Sequence, residues 1–133
     1  MIKKLSQKSA INKQQGNKAL KVALNILNKW KCTEQEKQAV LGVGRSTLHK
    51  YQANPETARL TPDLLERTSY ILNIHQALRM LFDNDENVYG FVRMANHNYY
   101  FNGATPISTM SSGLSSSLYE VHRQLDSLRG GQW

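Results

Sequence analysis

Side chains able to read a base edge crowd together at one place in this chain. Arg45, Ser46, Thr47, His49 and Lys50 follow directly on Gly42-Val43-Gly44. A guanidinium fork pairs with guanine, hydroxyl and imidazole groups donate or accept at base edges, and an ammonium meets phosphate. Catalysis has no comparable grouping. His75, His97 and His122 are dispersed, the acids form no pair flanking a nucleophile, and no glycine loop opens a helix to cradle phosphate. Ser111-Ser112 and Ser115-Ser116-Ser117 stand where helices end and begin, and hydroxyls there act as caps. His49 has no partner at metal-ligand spacing, and Cys32 is the sole cysteine. The expectation is therefore no enzyme, no catalytic residue, no metal, no cofactor and no disulfide.

A reading segment needs a scaffold, and the flanking sequence supplies one. From Asn17 to Lys31 the apolar residues Ala19, Leu20, Ala23, Leu24, Leu27 and Trp30 recur at helical spacing, opposite Lys18, Lys21, Asn25 and Asn28. Thr33 caps a second helix that carries Glu34 and Glu36 in its first turn and runs to about Leu41. Gly42 stands where a helix end calls for a left-handed residue, and Val43 plugs the turn. Gly44 or Ser46 starts the next helix, with Leu48 and Tyr51 inward and the polar set outward. This is a helix-turn-helix pattern over residues 33–53. The outward set is expected at base edges in a major groove, and Thr33, Gln35 and Lys37 at phosphates. Gln38 departs from the small alanine usual four residues before such a turn glycine.

Charge supports that division of labour. Residues 1–50 hold eleven Lys and Arg against two acids, whereas residues 51–133 hold six against eight, within a net charge of +7. A basic half points to a polyanion, here DNA. Residues 1–16, with Lys3, Lys4, Lys8 and Lys13 among polar neighbours, read as a flexible basic arm, and residues 17–56 as the DNA-binding domain. One reading helix makes few base contacts, so a homodimer on paired half-sites is expected. No apolar run approaches the ~20 residues that cross a membrane. The lone thiol and the polar N-terminus suggest a reducing cytoplasm.

Beyond Asn54-Pro55-Glu56 the pattern is helical again. Thr61-Pro62-Asp63 starts a long helix bearing Leu64, Leu65, Thr68, Ile71, Leu72, Ile74, Leu78 and Leu81. Asp83–Glu86 breaks it and opens another, with Val88, Phe91 and Val92 inward. An aromatic loop leads to Thr105-Pro106 and a short helix that Gly113 stops. Leu118, Val121, Leu125 and Leu128 form a last stripe, followed by Arg129-Gly130-Gly131-Gln132-Trp133. The fold class expected is all-α, with a helical domain over 61–133 and a C-terminal tail.

The order Asp63 to Arg67, Leu78 to Phe82, Phe101-Asn102-Gly103-Ala104-Thr105-Pro106, Gly113 and a closing helix resembles the toxin-binding domain of the Xre/MbcA/ParS antitoxins. With the reading unit, the resemblance covers about residues 17–133. Phe91 stands where such proteins usually carry tryptophan. The resemblance implies an antitoxin that represses its own operon and neutralises a RES-domain toxin, an enzyme that destroys NAD. It also implies that the tail approaches the toxin's active site, which places Arg129, Gly130, Gly131, Gln132 and Trp133 there. A cation and a flat ring on a glycine hinge suit a site built for phosphates and an aromatic base. Two alternatives stand beside this reading: a transcription regulator with no toxin partner, and an adaptor whose helix-turn-helix binds protein.

Overall fold

The computed structural model describes the backbone of residues 2–130 and the side chains of residues 13–130. The described residues are helical, with no strand. The helices are α1 (Ile2–Lys29), α2 (Glu34–Leu41), α3 (Arg45–Ala53), α4 (Pro62–Leu81), α5 (Asp85–Gly90), α6 (Pro106–Met110) and α7 (Ser115–Arg129). Single 3-10 turns follow α3 and α5, at Pro55–Thr57 and Phe91–Arg93. No helix among the described residues is long and apolar enough to cross a membrane.

α1 starts at Ile2, so residues 2–16 continue the core helix instead of forming the arm expected there. Lys and Gln are the commonest residues of that stretch, and both sustain a helix. Gly16 is buried, and a Cβ there would lie 2.7 Å from Leu60 Cδ1 and 3.0 Å from Leu65 Cδ2. The glycine is what lets α1 approach the start of α4. Farther along, Leu20, Ala23, Leu24, Ile26, Leu27 and Trp30 are buried. That face is wider than a single stripe because α1 packs against α4 while also covering the reading unit. α1 ends in a Schellman turn. Cys32 N–H donates to Leu27 O at 3.0 Å and Lys31 N–H to Asn28 O at 2.9 Å, with Lys31 itself at φ 58°.

α4 is one uninterrupted helix, capped by the Thr61 hydroxyl, which accepts from Leu64 N–H at 3.2 Å. It packs against α1 on one side and α7 on the other. The buried apolar side chains of both halves of the chain form a single cluster around it, from Leu20 to Leu125. Tyr89 of α5 fastens the far end: its hydroxyl accepts from Arg79 at 2.9 Å and from Lys29 at 3.4 Å, joining α4 and α1.

Arg67, 8% exposed, is the buried polar centre of this arrangement. Its Nε donates to Asp63 Oδ2 at 2.9 Å. Its Nη1 reaches Ala39 O at 3.1 Å and Val40 O at 3.4 Å, and its Nη2 reaches Gly113 O at 2.9 Å. The last carbonyls of α2 have no partner within their helix, and this guanidinium supplies it. Gly42, at φ 67°, lies so close that a Cβ would meet the guanidinium carbon at 2.8 Å. Two outcomes follow for urea unfolding. Arg67→Met leaves the carbonyls of Ala39, Val40 and Gly113 without this donor and should lower stability by about 3 kcal/mol. Gly42→Ala, strained in φ and crowded, should lower it by about 2 kcal/mol. Unchanged midpoints in both variants would contradict this packing.

Candidate nucleic-acid interface and partner-binding unit

The reading helix is placed by its neighbours. Thr33 and Glu36 close a capping box at the head of α2: Glu36 N–H donates to Thr33 Oγ1 at 3.1 Å, and Thr33 N–H to Glu36 Oε1 at 2.8 Å. Val43 N–H and the Gly42 N–H both turn back to Gln38 O, so the chain leaves α2 in a fixed direction. Gly44 is the N-cap of α3 and has no Cβ to shield the helix start. Leu48 and Tyr51 anchor α3 in the core, the Tyr51 hydroxyl accepting from Arg59 N–H at 3.0 Å.

Of the residues expected to read DNA, the structure gathers a subset. Gln35, Arg45 and His49 line one depression together with Glu34 and Gln38. Ser46 and Lys50 are exposed on the same helix. Thr33 is exposed at the head of α2, with its hydroxyl engaged in the cap. Thr47 is half-buried and turns the other way, sharing a depression with Val43, Arg59, Thr61 and Asp63. Lys37 also departs from the expected face. It is 8% exposed, shares a helix face with buried Val40 and Leu41, and lines a groove between α1 and the end of α3. Helical spacing in α2 carries the reason, since positions 37, 40 and 41 fall on one side.

The face is cationic and partly committed. Arg45 and Lys50 have no ion-pair partner among the described residues. His49 Nε2 lies 2.9 Å from Glu34 Oε2, a contact that fixes the ring across the α2–α3 angle. Sequence reasoning missed Glu34 and Gln38 as members of this face. Helical spacing alone gave no signal, since Glu34 stands seven residues before buried Leu41 and Gln38 three before it; the angle between α2 and α3 brings them to Arg45 and His49.

Arg93, after α5, ties the second unit to the head of α2. It donates from Nε to Trp30 O at 2.8 Å, from Nη2 to Lys31 O at 2.7 Å, and from Nη1 to Glu36 Oε2 at 3.2 Å. The hydrogen-bonded guanidinium holds the Glu36 carboxyl below its ordinary value of 4.5, and the carboxylate in return raises Arg93. Beside it, burial and the Glu36 charge push the Cys32 thiol up to about 11, so it stays protonated.

In the partner-binding unit, the aromatic loop folds on its own backbone. Asn96 N–H donates to Ala104 O at 3.0 Å, Gly103 N–H to Asn96 O at 2.7 Å, and Phe101 N–H to Asn98 Oδ1 at 2.8 Å, while Phe101 is buried. Thr105 caps α6 and Gly113, at φ 91°, ends the turn after it. α7 runs to Arg129, which pairs with Asp126 and donates to Met80 Sδ at 3.2 Å, so its guanidinium folds back on the α4–α7 groove. Gly130 closes the helix. Gly131, Gln132 and Trp133 lie outside the described residues.

Residues 11–73 match the family described as "Antitoxin Xre-like helix-turn-helix domain", and residues 77–131 match the "Antitoxin Xre/MbcA/ParS C-terminal toxin-binding domain". The boundary between the two matches falls inside α4. The chain is also similar to a Sinorhizobium fredii (strain NBRC 101917 / NGR234) protein that carries the name "Uncharacterized protein y4oB". That protein is 35% identical over 113 residues, 84% of each chain.

The Glu36–Arg93 pair makes stability depend on acid. A depressed folded-state carboxyl contributes fully above about pH 4.5, and the contribution disappears as pH falls through the folded-state value. Urea midpoints of the native chain should therefore drop more steeply below about pH 4.5 than those of Glu36→Gln. Parallel acid limbs would contradict the pairing.

Proposed function

This chain belongs to the Xre-type antitoxins, and on that footing we propose that its toxin is a RES-domain enzyme that degrades NAD and that the chain also represses its own operon. The family gives the coarser statement directly: an antitoxin with a helix-turn-helix for DNA and a toxin-binding domain for a protein partner. What supports the finer reading is the joining of a reading face whose Arg45 and Lys50 have no ion pair among the described residues to the aromatic-loop unit through one shared helix, α4, together with the resemblance to antitoxins of RES-domain toxins.

In this reading Arg45, Ser46 and His49 meet base edges, with Gln35, Lys50 and the exposed side of Thr33 along phosphates. α3 is nine residues, about 13 Å, long, and an α-helix roughly 10–12 Å across with its side chains is admitted by a major groove ~12 Å wide. Glu34 orients His49 and places a carboxylate where a cytosine amino group would donate. A second copy of the chain reads the second half-site. Arg129, the last residue of α7, and the residues Gly130, Gly131, Gln132 and Trp133 after it in the sequence would meet the toxin's NAD site, as the resemblance to such antitoxins implies. Arg129 would be free to meet a new partner there, because its pair with Asp126 is exposed and contributes little.

For DNA, Arg45→Ala should cost about 1–3 kcal/mol at one base position, while Lys50→Ala should weaken all sequences evenly and reduce the salt slope by about one. Operator titrations at several salt concentrations check this; wild-type affinity in both variants would remove α3 from the groove. For the toxin, the test is growth of a bacterial host expressing the neighbouring gene together with either the full chain or one ending at Arg129. Rescue by the full chain alone is expected. Rescue by both would return neutralisation to the folded unit and remove the tail from the mechanism. Toxicity that neither relieves, or a harmless neighbour, would favour the regulator without a toxin.

A further inference from the structure

His75 is half-buried on α4, one turn before Arg79, and neither DNA reading nor toxin contact uses it. Its ring stacks on Tyr89 of α5, with centroids 5.5 Å apart and planes 17° from parallel. Its Nδ1 is buried and has no hydrogen-bond partner among the described residues. Tyr89 already serves two cations. Lys29 Nζ lies 5.0 Å and Arg79 Cζ 5.4 Å from its ring centroid, and both donate to its hydroxyl, at 3.4 and 2.9 Å. The acid facing this group is Asp85, whose carboxylate is taken by Arg79 at 2.6 Å.

A neutral imidazole fits this place and an imidazolium does not. Both nitrogens of the charged ring carry a proton, so Nδ1 would become a buried N–H with no acceptor. A third cation would also join Lys29 and Arg79 around one phenol ring, against one carboxylate. Attraction of the charged ring to the Tyr89 face is the weaker effect, since two cations share that face already. Burial holds the His75 imidazole below its ordinary 6.5, Arg79 and Lys29 depress it further, and Asp85 opposes them.

We propose that His75 and Tyr89 form an acid-released latch: protonation of His75 detaches Tyr89 from Lys29 and Arg79 and opens α5 while the other ties between the two units hold. α5 is suited to open. It is six residues long, only its Val88 is buried, and it reaches α1 through the Tyr89 hydroxyl. Arg93 and Arg67 keep Trp30 O, Lys31 O and the end of α2 through contacts that involve no histidine. The open form takes up a proton near 6.5 and the closed form only at lower pH. The latch is therefore closed above about pH 6.5 and loosens as pH falls below it. The Glu36–Arg93 pair weakens only below about pH 4.5, so the two effects separate on the pH axis.

The full chain would be titrated by NMR from about pH 8 to about pH 5, the range in which imidazole changes charge. The His75 ring signals and the exchange protection of amides 85–90, corrected for intrinsic rates, would be followed together. The expected result is a His75 midpoint below 6.5. Protection over 85–90 should fall by up to about ten-fold per pH unit, the limit for one linked proton, while that of α7 stays constant. His75→Phe keeps a ring against Tyr89 and removes the titration, and its protection over 85–90 should be flat; His75→Gln gives the same comparison without the ring. A midpoint at or above 6.5 overturns the latch, as does protection that is constant through the midpoint or that falls alike in a folded variant. If neither variant folds, the native chain decides by whether protection at 85–90 falls and that of α7 does not.

Discussion

The arrangement depends on one buried guanidinium. Arg67 rises from the first turns of α4 and closes three separate accounts of unmet hydrogen bonding: the end of α2 at Ala39 and Val40, the turn before α7 at Gly113, and its own charge at Asp63. Removing water from a helix end without giving its carbonyls a donor would be costly. The reading unit can therefore sit against α4 only with this side chain in place. Gly42 is bound by the same constraint twice, through its left-handed φ and through the guanidinium lying where a Cβ would go. The direction in which α3 leaves the turn is thus set from the far side of the molecule.

A consequence is that the two functional units share their foundations. α4 belongs to both, packing on α1 and on α7, and Arg93 repeats the theme at the head of α2 by binding Trp30 O, Lys31 O and Glu36 together. Rearrangement of the α6–α7 turn would disturb Gly113, and through Arg67 the last turn of α2. Charge is nonetheless kept apart. Every lysine falls within residues 1–50 of the sequence, while α5 and α7 carry acids that pair locally with Arg79, Arg123 and Arg129. A protein that must meet a polyanion at one end and a protein at the other gains selectivity from that separation.

Much of this was legible in the sequence where the cause is local. The caps at Thr33, Thr61 and Thr105 and the left-handed glycines at 42 and 113 depend on residues within one turn, and each stands where the pattern placed it. Tertiary causes were less visible. The approach of α1 to the start of α4 at Gly16 depends on Leu60 and Leu65, partners more than forty positions away. Lys37 read as a surface cation by type, although its register with Val40 and Leu41 placed it inward. Arg67 occupies the stripe Leu64, Thr68, Ile71, and a charged residue in such a stripe is a signal of a buried network, but nothing in the sequence names Ala39, Val40 and Gly113 as its partners. Glu34 and Gln38 reach the reading face only because α2 and α3 meet at the angle that the Gly42 turn sets.

The most direct test of the antitoxin reading is biochemical and needs two purified proteins. The product of the neighbouring gene would be incubated with NAD, alone and with a stoichiometric amount of this chain, and the remaining NAD followed over time. The account predicts that the partner consumes NAD and that consumption stops once the chain is present at its binding stoichiometry. NAD that stays intact with the partner alone, or that is consumed equally in the presence of excess chain, would contradict it.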